Sequence, residues 1–329
     1  MRRITVLLAM LAVTLAGAIV AFGGSTVSAQ ESDPVAVVQA LIEEFNQSGP
    51  TGDGAAIAAH FTEDGAVTFL EVDGSFGVFG RAAMEIAFSE EPDGQFRVTV
   101  VEISATGGTV TGAGEFRDSG TVEAGIERGL FDFTAVVVDG KVASLDVVDD
   151  LSDPQTAQLA AFLASQPDEG GEDEAPPSED FVELNMGGNQ PGHAGAGSFE
   201  GVVFAFVEVD PGPEGLRQPS GIYEGTCDEL GELAQRLAPV WNGTAGSIIS
   251  ADFDHLLDEP HAITVGDSPD NASVIVSCAN LTRSAPGVGL PSTGTGGSSS
   301  NDLSWLIAAL ALVGVAFAGA GTLVARRRS

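Results

Sequence analysis

Acid–base chemistry has few residues to draw on in this chain of 329 residues. Before residue 166 the candidates are His60, Glu71, Asp73, Arg81, Glu102, Asp146 and Asp149, with His60 the single imidazole. A general base must be held within hydrogen-bond reach of the proton it takes, with its protonation state tuned by its surroundings. His60 and Asp146 are the two residues to weigh for that role. Asp146 alternates with Val142, Ser144 and Val148 along one strand, which would set all four on one face and aim the carboxylate into a pocket. The competing expectation, which the sequence favours, is a histidine that packs or faces water and a solvated strand carboxylate. Three further histidines are no better placed for metal chemistry. His255 and His261 stand six apart, and His193 lies in a glycine-rich stretch, so all three read as surface or turn residues.

The elements that must position these groups fall into two patterned blocks. Residues 33–165 open with Asp33 and Pro34, followed by Val35, Val38, Leu41, Ile42 and Phe45 at helical spacing. A second short helix carries Ala55, Ile57, Ala58 and Phe61, and Gly80 to Phe88 is a third. Strands are expected at Val67–Val72, Phe96–Ile103, Thr109–Arg117, Leu130–Val138 and, after the tight Asp139–Gly140 turn, Val142–Val148. Helices first and only strands after the third helix describe an α+β cone. Phe69, Phe79, Phe88, Phe116, Phe131 and Phe133 could line an apolar cavity or simply fill a core. Residues 166–180 form an acidic, proline-containing linker that cannot bury enough apolar surface to fold. The second block, 181–282, has short alternating runs at Phe181–Leu184, Phe199–Val209, Gly221–Cys227, Gly246–Ala251 and Ser273–Ala279. These predict a Greek-key β-sandwich with one helical insertion at Asp228–Leu237. Residues 283–301 are a Ser, Gly, Thr and Pro stalk.

Both ends carry export features. Met1, Arg2 and Arg3 precede an apolar stretch from Ile4 to Phe22, and Val27, Ser28 and Ala29 offer small residues for cleavage, so residues 1–29 read as a secretory signal peptide. Near the other end Leu290, Pro291, Ser292, Thr293 and Gly294 stand before an apolar run from Leu303 to Ala325, with Arg326, Arg327 and Arg328 in the basic tail 326–329. At about 1.5 Å per residue such a run spans the roughly 30 Å hydrocarbon core as a helix, and the arginines hold its end in the cytoplasm. The five residues resemble the sorting signal of Gram-positive-type surface proteins, in which a membrane sortase cuts between the Thr and the Gly and joins the Thr carbonyl to the cell wall. That resemblance implies sortase and the cell wall or membrane as partners, with Thr293 as acyl donor. In an oxidising exterior the only two cysteines, Cys227 and Cys278, are expected to form a disulfide. Closing a loop of about 50 residues stabilises a fold by about 4 kcal/mol in the chain-entropy model.

Charge narrows the partners further. Lys and Arg number 13 against 47 Asp and Glu, a net charge of −34, and Lys141 is the only lysine. Phosphate backbones require a basic face, so nucleic acid is excluded as a partner.

Two stretches carry family resemblances. The helical pair ending in AAHFTEDGAVTFLEV, the helix FGRAAMEIAFS and the closing strands GLFDFTAVVVDGKVASLDVVDD resemble the nuclear transport factor 2-like superfamily, including its SnoaL-like and ketosteroid-isomerase-like members. The resemblance implies a curved sheet around helices and an apolar pocket used for catalysis, binding or dimerisation. Isomerase members use a carboxylate base opposite a Tyr, whereas the only tyrosine here is Tyr223, in the second block. The run from Gln218 to Cys227 is similar to the secreted domains related to CHRD and copper/zinc superoxide dismutase, which carry an HPxHIHxGTC-type strand. Pro219, Ile222 and the GTC persist, but Gln218, Gly221 and Tyr223 occupy the histidine positions, so the resemblance implies the scaffold without its metal. The expectation is therefore a multidomain, surface-anchored, non-catalytic binding or adhesion protein without cofactor. A lyase or isomerase using the first block's pocket, a small apolar ligand held there, and a homodimer remain open.

Overall fold

The computed structural model describes residues 33–71, 74–89, 94–165, 181–213 and 215–282. The expected signal peptide, acidic linker, LPSTG segment and Leu303–Ala325 run lie outside the described residues. Among the described residues, no helix is long and apolar enough to cross a membrane.

The first block begins with α1 (Pro34–Ser48), which buries Val38, Leu41 and Phe45 on one face. The Asp53 side chain accepts the Ala56 N–H and starts α2 (Gly54–Ala58). Strands β1 (Phe61–Leu70) and β2 (Ser75–Phe79) form an antiparallel pair, and α3 (Arg81–Ala87) follows. Then come β3 (Arg97–Thr106), β4 (Thr109–Arg117), β5 (Gly129–Val138) and β6 (Lys141–Asp149), an antiparallel meander whose last strand returns parallel to β1. Two further helices interrupt the expected run of strands, α4 (Ser119–Glu123) and α5 (Pro154–Ser165). The start of α5 is written in Asp153 and Pro154. The Asp153 carboxylate accepts the N–H groups of Gln155 and Thr156, and proline at the first helical position loses no hydrogen bond.

In the second block the strands are β7 (Phe181–Gly188), β8 (Gly192–Phe199), β9 (Val202–Val209), β10 (Ser220–Thr226), β11 (Glu229–Arg236), β12 (Thr244–Ile249), β13 (His261–Gly266) and β14 (Ile275–Leu281). The helix expected at Asp228–Leu237 is instead β11. Leu230 and Leu233 have helical spacing, yet the segment folds back on β10 from Thr226↔Glu229 to Gly221↔Arg236, and two register shifts absorb the irregular pattern. A short α-helix of this block is α6 (Phe253–Asp258), started by Asp252.

The strands of the second block do not stand apart from those of the first. Hydrogen bonding runs through one series in the order β11-β10-β13-β14-β7-β8-β9-β12-β2-β1-β6-β5-β4-β3. The link between the blocks is β12, antiparallel to β9 on one side and parallel to β2 on the other, from Ala245↔Ser75 to Ile249↔Phe79. Both blocks belong to one compact unit. The register sets Val110, Ala135, Leu145, Val67, Val78, Ile248 and Phe204 in one row across seven strands. All seven join the apolar cluster that α1, α2 and α3 cover, and Val202, Phe204, Phe206 and Ile248 of the second block are buried in it. A separate core unites Val203, Ala205, Val207 and Ile249 with Ile222, Ile263, Val265 and Leu281, drawn from both four-strand groups of the second block. There β7 and β14 meet only at Gly187 and Gly188 opposite Cys278 and Ser277.

The seam between the blocks is shaped by single residues. Gly80 has φ 88° and ψ 148°, a conformation open to glycine, and a Cβ there would sit 2.5 Å from Ser250 Oγ. That hydroxyl, from the second block, accepts the Ala83 N–H at 2.9 Å and so caps α3 where Gly80 has no side chain to do it. The Ser75 hydroxyl donates to the Pro239 carbonyl across the same seam. The expected disulfide forms, Cys227 to Cys278 with Cα atoms 5.9 Å apart. It ties β10 to β14 beyond β13, which lies between them.

Candidate functional site

The residues weighed for catalysis do not converge. His60 follows α2, and its Nε2 lies 3.5 Å from the Glu44 carboxylate of α1, with both side chains about a quarter exposed. Ser48 donates its hydroxyl to the other oxygen of Glu44. This places the carboxylate between hydroxyl and imidazole, whereas activating a serine requires the imidazole next to the hydroxyl. The order is that of a helix-to-helix tie.

Asp146 is on the other face of the sheet. Its register partners are Thr68 and Thr134, while the neighbouring Val147 pairs with Phe69 and Phe133 on the apolar side. A register shift between Val136 and Val137 explains why Val142 does not share the face expected for it. Val142 is fully buried in the core, and the irregularity turns Ser144 and Asp146 away from it. Asp146 Oδ2 lies 3.8 Å from Arg217 of the second block. The Val142 N–H donates to the His60 carbonyl, so four residues of strand, about 13 Å, run between that point and Asp146.

The remaining candidates are dispersed. Arg81 pairs with Glu63 at 3.0 Å and donates to the Phe61 carbonyl, Glu102 is exposed on β3, and Asp149 ends β6 in register with Phe131. Glu71 follows β1, and Asp73 lies outside the described residues. Of the aromatic residues, Phe88, Phe131 and Phe133 are buried in the first cluster, Phe69 and Phe116 pack against it, and Phe79 packs against the second. Phe45 and Phe88 meet edge to face with centroids 5.2 Å apart.

The strand that would carry metal ligands does not fit copper. Gln218 is buried and its amide donates to Gln190 at 2.6 Å. A side chain at Gly221 would meet Leu233 Cδ1 at 2.6 Å, so an apolar group fills the space where an imidazole would stand. With a glutamine, a glycine and a tyrosine, the strand supplies neither imidazole nor thiolate. Among the described residues no group of three His, Cys, Asp or Glu side chains is placed to hold a metal. His261, expected at the surface, is buried in β13. Its Nδ1 faces the Leu256 and Glu259 carbonyls, and its ring meets that of the exposed His255 with centroids 5.9 Å apart.

One arrangement was not visible in the sequence. Asn185, His193, Glu208 and Thr244 are mutual register partners on β7, β8, β9 and β12, so four polar residues form one line across four adjacent strands. They line a groove of about 590 Å³ together with Pro191, Asp210, Pro211, Asn242 and Gly243. One wall is the turn Trp241–Thr244, closed by two backbone hydrogen bonds of 3.1 Å, with Asn242 at φ 53° and Gly243 at φ 98°. Asn-Gly is the preferred pair for a two-residue hairpin turn of this kind. Gly243 also lets the turn settle on Val209 and Pro211, whose atoms a Cβ would meet at 2.8 and 3.3 Å. The sequence signal was the pattern Phe204, Phe206, Glu208 on β9, where one face changes from apolar to polar at its end.

No protein-family pattern matches the chain, and no curated protein matches it. Solved structures do resemble parts of it. One is a protein of unknown function from Mycobacterium tuberculosis, 19% identical, covering 43% of this chain and 94% of its own at a TM-score of 0.27. A second is an epoxide hydrolase of the same organism, 16% identical, covering 40% and 96% at 0.30. The third is a nuclear transport factor 2-like protein of unknown function from Cytophaga hutchinsonii, 18% identical, covering 35% and 90% at 0.26.

Proposed function

We propose that this chain is a secreted, surface-displayed binding protein without catalytic activity, delivered by a leader ending at Ala29 and fixed through Thr293 of LPSTG by a sortase, with Leu303–Ala325 as the membrane helix that holds it for processing. The first block is a nuclear transport factor 2-like cone. The second is a Greek-key β-fold related to metal-binding secreted domains, without their histidines. The observation that carries the non-catalytic part is the separation of His60 and Asp146. One is tied to Glu44 at a helix contact and the other to Arg217 on the far face, so no substrate could touch both. Strand β12 and the side chains of Phe204 and Ile248 make the second block part of the first block's core, so the pair is displayed as one body.

The test is fractionation of producing cells. Deleting Leu290–Gly294 is expected to shift the chain from the wall fraction to the membrane and medium, whereas replacing His60 and Asp146 by Ala leaves its distribution and its surface binding unchanged. An unaltered wall fraction after the deletion overturns the display, and loss of binding in the His60/Asp146 variant with its fold intact overturns the non-catalytic reading.

A further inference from the structure

We infer that Asn271, in the loop between β13 and β14, is a modification site that carries an N-linked glycan, added to the folded chain outside the membrane. The inference goes beyond the binding reading above and rests only on its export step.

The chemistry begins with a short pattern. An Asn followed two residues later by Ser or Thr, with no Pro between, is the acceptor of N-glycosylation in exported proteins. Four triplets fit it, Asn46–Ser48, Asn242–Thr244, Asn271–Ser273 and Asn280–Thr282. A pattern this short leaves the choice to the fold. A transferase must draw both the amide and the hydroxyl into its own site, so the triplet has to lie on a surface segment that moves without opening a sheet.

Three of the triplets are held in place. Asn46 belongs to α1 and spends its amide on both backbone groups of Val98, at 2.8 and 2.7 Å. Asn280 is part of β14, in register with Ala262, and its side-chain oxygen accepts the Cys227 N–H at 2.7 Å beside the disulfide. Asn242 is exposed, but the neighbouring Gly243 is buried with its carbonyl on the Val209 N–H, and Thr244 already belongs to β12 in register with Glu208. Lifting that triplet would pull out the start of β12.

Asn271 differs on each count. It ends the single turn Pro269–Asn271, and every residue from Pro269 to Val274 is exposed. The loop lies wholly between the end of β13 and the start of β14. It is closed by its own bonds, from the Asp267 N–H to the Val274 carbonyl at 2.8 Å and from the Val274 N–H to the Asn271 carbonyl at 3.0 Å. The Asn271 amide donates one hydrogen to the Asp267 carboxylate at 3.2 Å, and transfer needs only the other. Its Nδ2 attacks the anomeric carbon of an oligosaccharide carried on a lipid diphosphate. The N–C bond forms, the C–O bond to the diphosphate breaks, the lipid diphosphate leaves with the electron pair, and the second amide proton passes to a base of the transferase. The bond to Asp267 survives in the product. Val274, a large apolar residue left 46% exposed, is tied to Asn271 by the 3.0 Å bond, so a sugar attached there covers apolar surface.

The test is peptide mass spectrometry on the full chain recovered from the surface of producing cells, for the parent and for Asn271→Gln, Ser273→Ala, Ser273→Thr and Asn280→Gln. The peptide containing Asn271 is expected to carry sugar mass that is lost in Asn271→Gln and Ser273→Ala and kept in Ser273→Thr and Asn280→Gln. An intact Cys227–Cys278 disulfide in each variant reports that the block is folded. A chain that begins at Gln30 with Asn271 bare overturns the inference and leaves export standing, whereas one that keeps Met1–Ala29 overturns both. Sugar on Asn46, Asn242 or Asn280 overturns the selection by the fold, and sugar that persists in Asn271→Gln on a serine or threonine overturns the inference in favour of an O-linked modification.

Discussion

Replacing Gly80 by Ala tests whether the two blocks stand or fall together. The backbone at Gly80, φ 88° and ψ 148°, belongs to a region that residues with a Cβ avoid at a cost of about 1–3 kcal/mol. The new methyl group would also meet Ser250 Oγ at 2.5 Å and push it from the Ala83 N–H, a cap whose loss costs about 1 kcal/mol. Reduced freedom of the unfolded chain offsets about 0.4–1 kcal/mol of this. The net destabilisation is about 2–3 kcal/mol, which for a body of 150–250 residues lowers the melting temperature by about 4–12 °C. The substitution is in the first block, and the reporter should be in the second. Trp241 serves once Trp305, the other of the two tryptophans, is replaced by Phe. Thermal unfolding of the Trp305→Phe protein with and without Gly80→Ala, followed by Trp241 fluorescence and by far-ultraviolet circular dichroism, is expected to show both transitions falling by the same amount. A Trp241 transition that keeps its temperature while the dichroism transition drops would refute the shared seam.

Other perturbations follow from the same contacts. Replacing Cys227 and Cys278 by Ser opens a loop with a sequence separation of 51, and should cost about 4 kcal/mol in the chain-entropy model, read as an earlier chemical denaturation midpoint with a steeper slope, because the unfolded chain is no longer cross-linked. Asp146→Asn should change stability by less than about 1 kcal/mol, because its ion pair with Arg217 is 38% and 43% exposed and screened by solvent. The Asp153 carboxyl is held below the usual carboxylate range, first by the Thr156 N–H, then by the Gln155 N–H, the Thr156 hydroxyl and the Arg128 guanidinium. A depressed folded pKa means stability present above the unfolded value and lost as pH falls through the folded one. Asp153→Asn should therefore be less stable than the parent at neutral pH, with the two denaturation curves converging only under strongly acid conditions.

How far the sequence alone reached depends on whether a signal is local. The first and third helices and the strands β3 to β6 are visible because their apolar periodicity and the Asp139–Gly140 turn are read within a few residues. Strand β11 misleads because Leu230 and Leu233 match a helix locally, and only pairing with β10 decides otherwise. Strand β8 hides in its glycines at 192, 195 and 197, which read as turns, although Gly195 is needed where the rings of Phe206 and Phe181 lie over it. A single register shift between Val136 and Val137, which no local pattern announces, separates Asp146 from the face of Val142. The seam and the polar line were out of reach for the same reason. Gly80 and Ser250, or Asn185 and Thr244, are related through strand order, which local pattern does not encode. The proposed export and anchoring are the reverse case, since the segments that suggest them are linear and depend on no strand pairing.

The most direct measurement is the intact mass of the protein released from the cell surface by wall hydrolysis. The account predicts a chain that begins at Gln30 and ends at Thr293, the latter joined through its carbonyl to a wall fragment, with Cys227 and Cys278 lighter by two hydrogens than free thiols. A surface species that retains Leu303–Ser329, or one that ends elsewhere than Thr293, contradicts it.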